Sequence, residues 1–129
     1  MSNKDLYRAS TPVPDGAALP FSFAPNSGSA VDQTTIKGRN AVITSVTRTG
    51  AGVFDVVLKD AWDDVIAVTP SIQLNADADA TMSSWNYVAA TRTLTLRFRT
   101  AGAAADVAAN ANNRLGAVIH VRNIKSPTY

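Results

Sequence analysis

Apolar and polar residues alternate with a period of two through much of residues 36–124, and this pattern predicts strands rather than helices. The run Ala41-Val42-Ile43-Thr44-Ser45-Val46-Thr47-Arg48 leads into Thr49-Gly50-Ala51-Gly52 and returns as Val53-Phe54-Asp55-Val56-Val57-Leu58-Lys59. Two glycines supply the positive φ of a tight hairpin return, while Phe54, Val56 and Leu58 predict a buried face with Asp55 and Lys59 on the wetter one. Residues 65–74 read as extended, and Pro70 restricts them to a bend or a sheet edge. A second hairpin is predicted from residues 82–88 and 93–100, with Leu94, Leu96 and Phe98 inward and Thr95, Arg97 and Arg99 outward. Residues 101–113 form an Ala/Asn/Gly-rich connection with room for one irregular helical turn, and residues 115–123 close the fold. About six strands separated by short turns predict an all-β domain, a small β-sandwich or a jelly-roll variant.

Residues 1–35 lack this alternation. Thr11-Pro12-Val13-Pro14-Asp15-Gly16 holds two fixed φ angles and then a turn dipeptide, which excludes a central strand. In Leu19-Pro20-Phe21-Ser22-Phe23-Ala24-Pro25 the two phenylalanines share a face if extended, but the prolines allow pairing only at a sheet edge. Asn26-Ser27-Gly28-Ser29 reads as a flexible joint. Leu6, Tyr7, Val13, Leu19, Phe21 and Phe23 are more apolar than a solvated linker requires, so the segment is expected to lie on a partner. The chain thus divides into an extended N-terminal arm (1–35), a β-sandwich core (36–124) and a short tail (125–129). On this reading the arm is dispensable for folding and binds its partner through Leu19, Phe21 and Phe23, with Tyr7 in a supporting place.

Composition narrows the partners. The chain has 129 residues, and a core of roughly 90 buries only about 60 to 65% of its unfolded surface, so docking or oligomerisation, as a homodimer or homotrimer, is expected to complete it. There is no Cys, which removes disulfides, thiolate metal sites and cysteine nucleophiles. All ten acidic residues are Asp, so the strong helix-forming acid is missing. The net charge of +2 is too small to define an electrostatic partner despite a pI near 9.2. No signal-peptide core and no membrane-length apolar stretch occur, so the expectation is synthesis in a cytoplasm and no membrane partner.

Candidate chemistry is sparse. His120, the only histidine, sits in a strand context without a nucleophile-elbow signature, and reads as structural or interfacial. Asn75, Asp77 and Asp79 imitate the start of a calcium loop, but Ala80 and Asn86 stand where glycine and the closing glutamate belong, so a polar turn is expected. Asp60, Asp63 and Asp64 read as a charged turn rather than paired catalytic carboxylates. Trp85 and Tyr87 share a strand face, which suits either packing or a glycan platform. Arg97 and Arg99 make a small basic stripe, too thin for nucleic acid and suited to orienting a partner. No enzyme activity, cofactor or metal is expected.

The stretch Val46-Thr47-Arg48-Thr49-Gly50-Ala51-Gly52-Val53-Phe54-Asp55, continuing to Asp60-Ala61-Trp62, resembles small proteins of tailed bacteriophages. Ile119-His120-Val121-Arg122-Asn123 matches a strand ending in the same proteins. The chain is similar, over roughly residues 38–123, to head decoration (cement) proteins, with Trp62 in place of the commoner Tyr and Ile124 in place of Ser. That resemblance implies a non-enzymatic virion protein on the outer surface of the phage head, made in the host cytoplasm, with the major capsid protein and sister subunits as partners. The hairpin pattern also resembles fibre, spike and tail-tip components carrying a receptor- or glycan-binding β domain, which stands as the alternative.

Overall fold

The computed structural model describes residues 16–75 and 79–122, and its strands track the alternation closely. They are β1 (Gly16–Phe23), β2 (Ile43–Gly50), β3 (Val53–Leu58), β4 (Asp64–Gln73), β5 (Ala80–Val88), β6 (Thr93–Thr100), β7 (Ala103–Ala104) and β8 (Arg114–Arg122). Both predicted hairpins form, as β2–β3 and β5–β6. The strands make two antiparallel sheets, one in the order β1-β8-β4 and the other in the order β2-β3-β6-β5, with β7 beside the end of β6. The result is a small β-sandwich.

Alternation fixes which side chains meet. Phe54, Val56 and Leu58 from β3 and Leu94, Leu96 and Phe98 from β6 face Leu115, Ala117, Ile119 and Val121 of β8, and all are buried. Each large aliphatic or aromatic side chain hidden in this way stabilises the fold by about 1.5 to 3 kcal/mol. Phe54 joins the layers, with its ring centroid 4.9 Å from that of Phe23 and 5.9 Å from that of Phe98.

The expected arm boundary at residue 35 is therefore corrected. Residues 16–23 are a strand of the sandwich, paired along their length with β8 from Gly16↔Arg122 to Phe23↔Leu115. Leu19, Phe21 and Phe23 are core residues with relative exposures of 9%, 5% and 0%. They are spent inside the molecule rather than held out to a partner. The edge expectation for this segment does hold, because β1 is an outer strand of its sheet. Ser22 turns its N–H and C=O away from β8 to bond Lys37, at 3.1 and 2.8 Å. Pro20 has the same parity as Ser22, so its missing N–H falls on the outer side and costs no ladder bond.

The predicted joint at residues 26–29 is likewise a built turn. Ser29 N–H donates to the Asn26 carbonyl at 3.0 Å, and the Ala109 N–H donates to Ser27 Oγ at 2.9 Å, which ties this turn to the 105–113 connection. A short 3-10 turn at Gln33–Thr35 follows, capped by Asp32, whose side chain accepts from Thr34 N–H. Its Gln33 amide then acts as a fragment of strand: Nε2 donates to the Val46 carbonyl at 2.7 Å and Oε1 accepts from Val46 N–H at 3.1 Å. The free edge of β2 is closed there by one side chain. Residues 24–42 thus seal one flank of the sandwich, with Gln33 on β2 and Lys37 on β1. On the opposite flank β4 and β5 are both outer strands, each broken by an irregularity, at Val65/Ala67 and at Met82/Ser84, and β4 also carries Pro70. Such features discourage uncontrolled strand addition.

Candidate functional site

At the β2–β3 return the chain chemistry is structural. Gly52 has φ of 69° and a Cβ there would collide with the carbonyl oxygens of Phe98 and Ala105, so only glycine fits. Gly50, expected to share that role, is not in the positive region. Arg48 pairs across from Phe54, on the inner side of β2, and reaches the open end of the sandwich. There Asp106 receives it in a two-pronged ion pair, Nε to Oδ1 at 2.9 Å and Nη2 to Oδ2 at 2.7 Å, and Oδ1 also accepts the Gly52 N–H at 3.0 Å. The Arg48 hydrogen bonds hold the Asp106 carboxyl below the usual carboxylate range and hold the guanidinium above its own, with partial burial opposing both shifts. Sequence reading missed Asp106, although it is the lone charged residue within residues 100–113.

Asn113, the one buried polar side chain among the described residues, does similar work nearby. It accepts from Asn75 N–H at 2.8 Å and donates to the Ala108 carbonyl at 3.0 Å. Asn75 and Asp79 of the imitation calcium loop line a small pocket of about 210 Å³ with Asp106 and Asn113. The oxygens that Asp106 and Asn113 bring to it are already accepting hydrogen bonds from Arg48, Gly52 and Asn75. Among the described residues no cluster of three or more His, Cys, Asp or Glu is placed to hold a metal, and Asp77 lies outside them.

The remaining candidates separate by face. Trp85 and Tyr87 lie opposite Leu96 and Leu94, so they turn toward the core and lean on it from the β5 side. Tyr87 donates its hydroxyl to the Trp62 carbonyl at 2.7 Å, and burial raises its pKa. They form no exposed aromatic platform. His120 lies half-buried between Ala18 and Ala67, on the outer side of β8. Asp64 pairs with Arg122 at 3.3 Å at the end of the three-stranded sheet, apart from any substrate-sized cleft. Tyr7 falls outside the described residues.

Two broad surfaces are left. The outer face of the β2-β3-β6-β5 sheet carries Thr47, Asp55, Thr93, Thr95, Arg97 and Arg99. Asp55 accepts the Thr95 hydroxyl at 2.7 Å, Arg97 and Arg99 make a basic stripe at one end, and at the other Val57 and the exposed Val88 flank Thr93. The outer face of the β1-β8-β4 sheet is small and uncharged in its middle, where Ala18, Pro20 and Ser22 of β1, Gly116, Val118 and His120 of β8, and Ala67, Thr69 and Ser71 of β4 meet; Arg114 stands at one end of it and the Asp64–Arg122 pair at the other. Gly116 belongs there for a steric reason, since a Cβ would strike the Phe21 carbonyl oxygen and Ser22. Along its border residues 37–42 raise a wall, leaving an open groove of about 530 Å³ lined by Pro20, Ser22, Lys37, Ala41, Val42 and Val118 among others.

Fold and surfaces together define a two-sheet β-sandwich. Comparison of the chain with family models, curated proteins and solved structures gives no match. Among the described residues no helix is long and apolar enough to cross a membrane.

Proposed function

We propose that this protein is a non-enzymatic structural component of a tailed-phage virion, a decoration protein that binds the outside of the assembled head and bridges neighbouring copies of the major capsid protein. The observation that carries the reading is the Val46-Thr47-Arg48-Thr49-Gly50-Ala51-Gly52 hairpin, whose sequence resembles that of such proteins. Its two geometrically demanding residues, Arg48 and Gly52, are both used, meeting on Asp106. The motif is thus a device for building this sandwich end, and a shared device supports a shared fold. Binding only to assembled shells stabilises them by mass action, with many copies each adding a modest free energy. Association of sister subunits as a dimer or trimer on the shell belongs to the same proposal. The glycan-binding alternative is weakened because Trp85 and Tyr87 face inward.

The test is to incubate the purified protein with expanded, undecorated heads and to image them, then to compare their survival on heating with that of bare heads. Regularly spaced copies over the whole shell and a higher survival temperature are the expected result. Copies confined to one vertex or to the tail, with unchanged head survival, would move the protein to the fibre class.

A further inference from the structure

We infer that the outer edge of β5 is a strand-addition site, and that its occupant is the same edge of a second copy of this chain, paired antiparallel about a two-fold axis at Asn86. The inference does not depend on the decoration reading; it assigns the edge through which two copies meet.

Backbone parity shows which groups face outward. In an antiparallel ladder, successive residues of a strand bond alternately to one side and to the other. Ser22 bonds outward to Lys37, so the odd-numbered residues of β1 bond those of β8, and the even-numbered residues of β8 bond Ala67, Thr69 and Ser71 of β4. Val68, Pro70 and Ile72 are left facing the open side of β4. In the other sheet the Phe98 N–H donates to the Gly52 carbonyl and the Leu58 N–H to the Arg92 carbonyl, both at 2.8 Å. Leu94, Leu96 and Phe98 therefore bond toward β3, whereas Thr93, Thr95 and Arg97 bond Val88, Asn86 and Ser84 of β5. Trp85 and Tyr87 turn their N–H and C=O away from the sheet.

The edges of β1, β2 and β4 each carry a blocking device at such outward positions. On β2 the Val46 groups are taken by Gln33. On β1 the Ser22 groups are taken by Lys37, and Pro20 has no N–H. On β4 Pro70 removes the central outward N–H. β5 differs. Among the described residues no strand pairs with its outer side, and Ala80–Val88 contains no proline and no charged residue, the usual guards of an exposed edge. The irregularity at Met82/Ser84 leaves residues 84–88 in unbroken register and confines an added strand to that stretch.

A second copy matches this edge. With Asn86 opposite Asn86 of the second copy, Trp85 lies opposite Tyr87 of that copy and Tyr87 opposite its Trp85, so every outward N–H and C=O of these residues gains a partner. The two Asn86 amides meet on the outer face at the close, non-hydrogen-bonded position, and Trp85 and Tyr87 form cross-strand aromatic pairs on the inner one. Residues 80–91 are all uncharged, so two copies meet here without like-charge repulsion. The two-fold consumes both β5 edges, and with the other edges blocked assembly closes at a dimer rather than running on into a filament. A strand pair alone covers less than the about 800 Å² per partner of a standard interface, so the association is weak and concentration-dependent.

The experiment uses the full-length protein in solution. The chain has no Cys, so Asn86→Cys is a clean probe: across the axis its Cα atoms stand about 4.5 Å apart, within the span of a disulfide. Oxidation to a covalent dimer is expected, while Thr47→Cys, also exposed but on the far strand of the same sheet, should stay monomeric. Sedimentation of wild type from micromolar to millimolar concentration should show a monomer–dimer equilibrium. Asn86→Lys and Asn86→Asp should each weaken it at least about ten-fold, and an equal mixture of the two should restore it. Asn86 is exposed, so unchanged melting temperatures are expected. In wild type, hydrogen exchange at high concentration should slow at the Trp85 and Tyr87 amides and stay the same at Ser84 and Asn86. Monomers at every concentration would overturn the inference. So would a dimer that neither charge variant weakens and Asn86→Cys does not trap, since its interface then lies elsewhere. Trp85 and Tyr87 amides already protected in dilute monomer would show the edge filled by the same chain, which also overturns it. No shell enters these measurements, so none of their outcomes bears on the decoration reading.

Discussion

Replacing Phe23 with Ala separates a strand built into the core from an arm held for a partner. Phe23 has no exposed surface and lies against Phe54 at 4.9 Å with its ring tilted by 56°, while Phe21 stacks at 6.4 Å on its other side. Removing the ring forfeits about 1.5 to 3 kcal/mol of apolar transfer and about 0.5 to 1.5 kcal/mol of aromatic pairing. A residual cavity beneath β3 adds to this, so the total falls in the range of about 3 to 5 kcal/mol measured for buried aromatic truncations. Domains of this size are stable by only about 5 to 15 kcal/mol, and a loss of that order lowers the melting temperature by about 10 °C or more. The assay is chemical denaturation with parallel thermal melting of Phe23→Ala, together with truncations that start at residue 16 and at residue 24. The truncation at 16 should melt close to the full chain, and the one at 24 should fail to fold cooperatively. A Phe23→Ala protein within about 0.5 kcal/mol of wild type would refute the placement of β1 in the core.

Two further outcomes follow from the closed flank and the clamped end. Asp106→Asn should lower the melting temperature at neutral pH and leave the two proteins closer together in acid. The Asp106 carboxyl is held below its ordinary value by Arg48, so the stability it contributes is complete above the ordinary carboxylate pKa and is lost as the pH falls through the folded value. Melting curves of both proteins between about pH 2 and 7 check this, and a difference that grows on acidification would contradict it. Gln33→Ala should cost about 1 to 3 kcal/mol by leaving the Val46 N–H and C=O of the β2 edge without their side-chain partner. Hydrogen exchange should show the Val46 amide losing protection, and an unchanged Val46 rate would mean that the amide is not the edge plug described here.

β2 to β6 and β8 were legible because each buries one face, and one-sided burial writes itself into the chain as alternation; the two-residue β7, exposed on both sides, falls in the connection with room for a helical turn, where no helix forms. Phe54, Val56 and Leu58, and Leu94, Leu96 and Phe98, could be assigned to the core without coordinates for that reason. β1 was misread by the same logic applied too strictly. Its prolines correctly exclude a central strand, yet an outer strand tolerates Pro20 when the missing N–H faces outward, and the alternation Leu19, Phe21, Phe23 was a core signal after all. The clamp was hidden for another reason. Arg48 and Asp106 are 58 positions apart, and Asp106 lies in an Ala-rich connection with no periodicity to flag it. Gln33 was equally invisible, since its value comes from the position of one amide against the Val46 backbone, which no local pattern encodes.

That correction also changes what the decoration proposal must use. With Leu19, Phe21 and Phe23 consumed by the fold, the apolar residues left for attachment in the N-terminal stretch are those before Gly16, and a few side chains on a tether do not make a specific site by themselves. Specificity then has to come from a folded surface near the tether. Residues 24–42 cover one flank, and the polar face with Arg97 and Arg99 belongs to the sheet that does not carry Gly16. The sheet that does carries small uncharged residues, Ala18, Pro20, Ala67 and Thr69 beside Val118, in the middle of its outer face, with Arg114 and the Asp64–Arg122 pair at the ends. That grouping is invisible position by position in the sequence, because it is assembled from three distant segments and exists only once β1, β8 and β4 lie side by side.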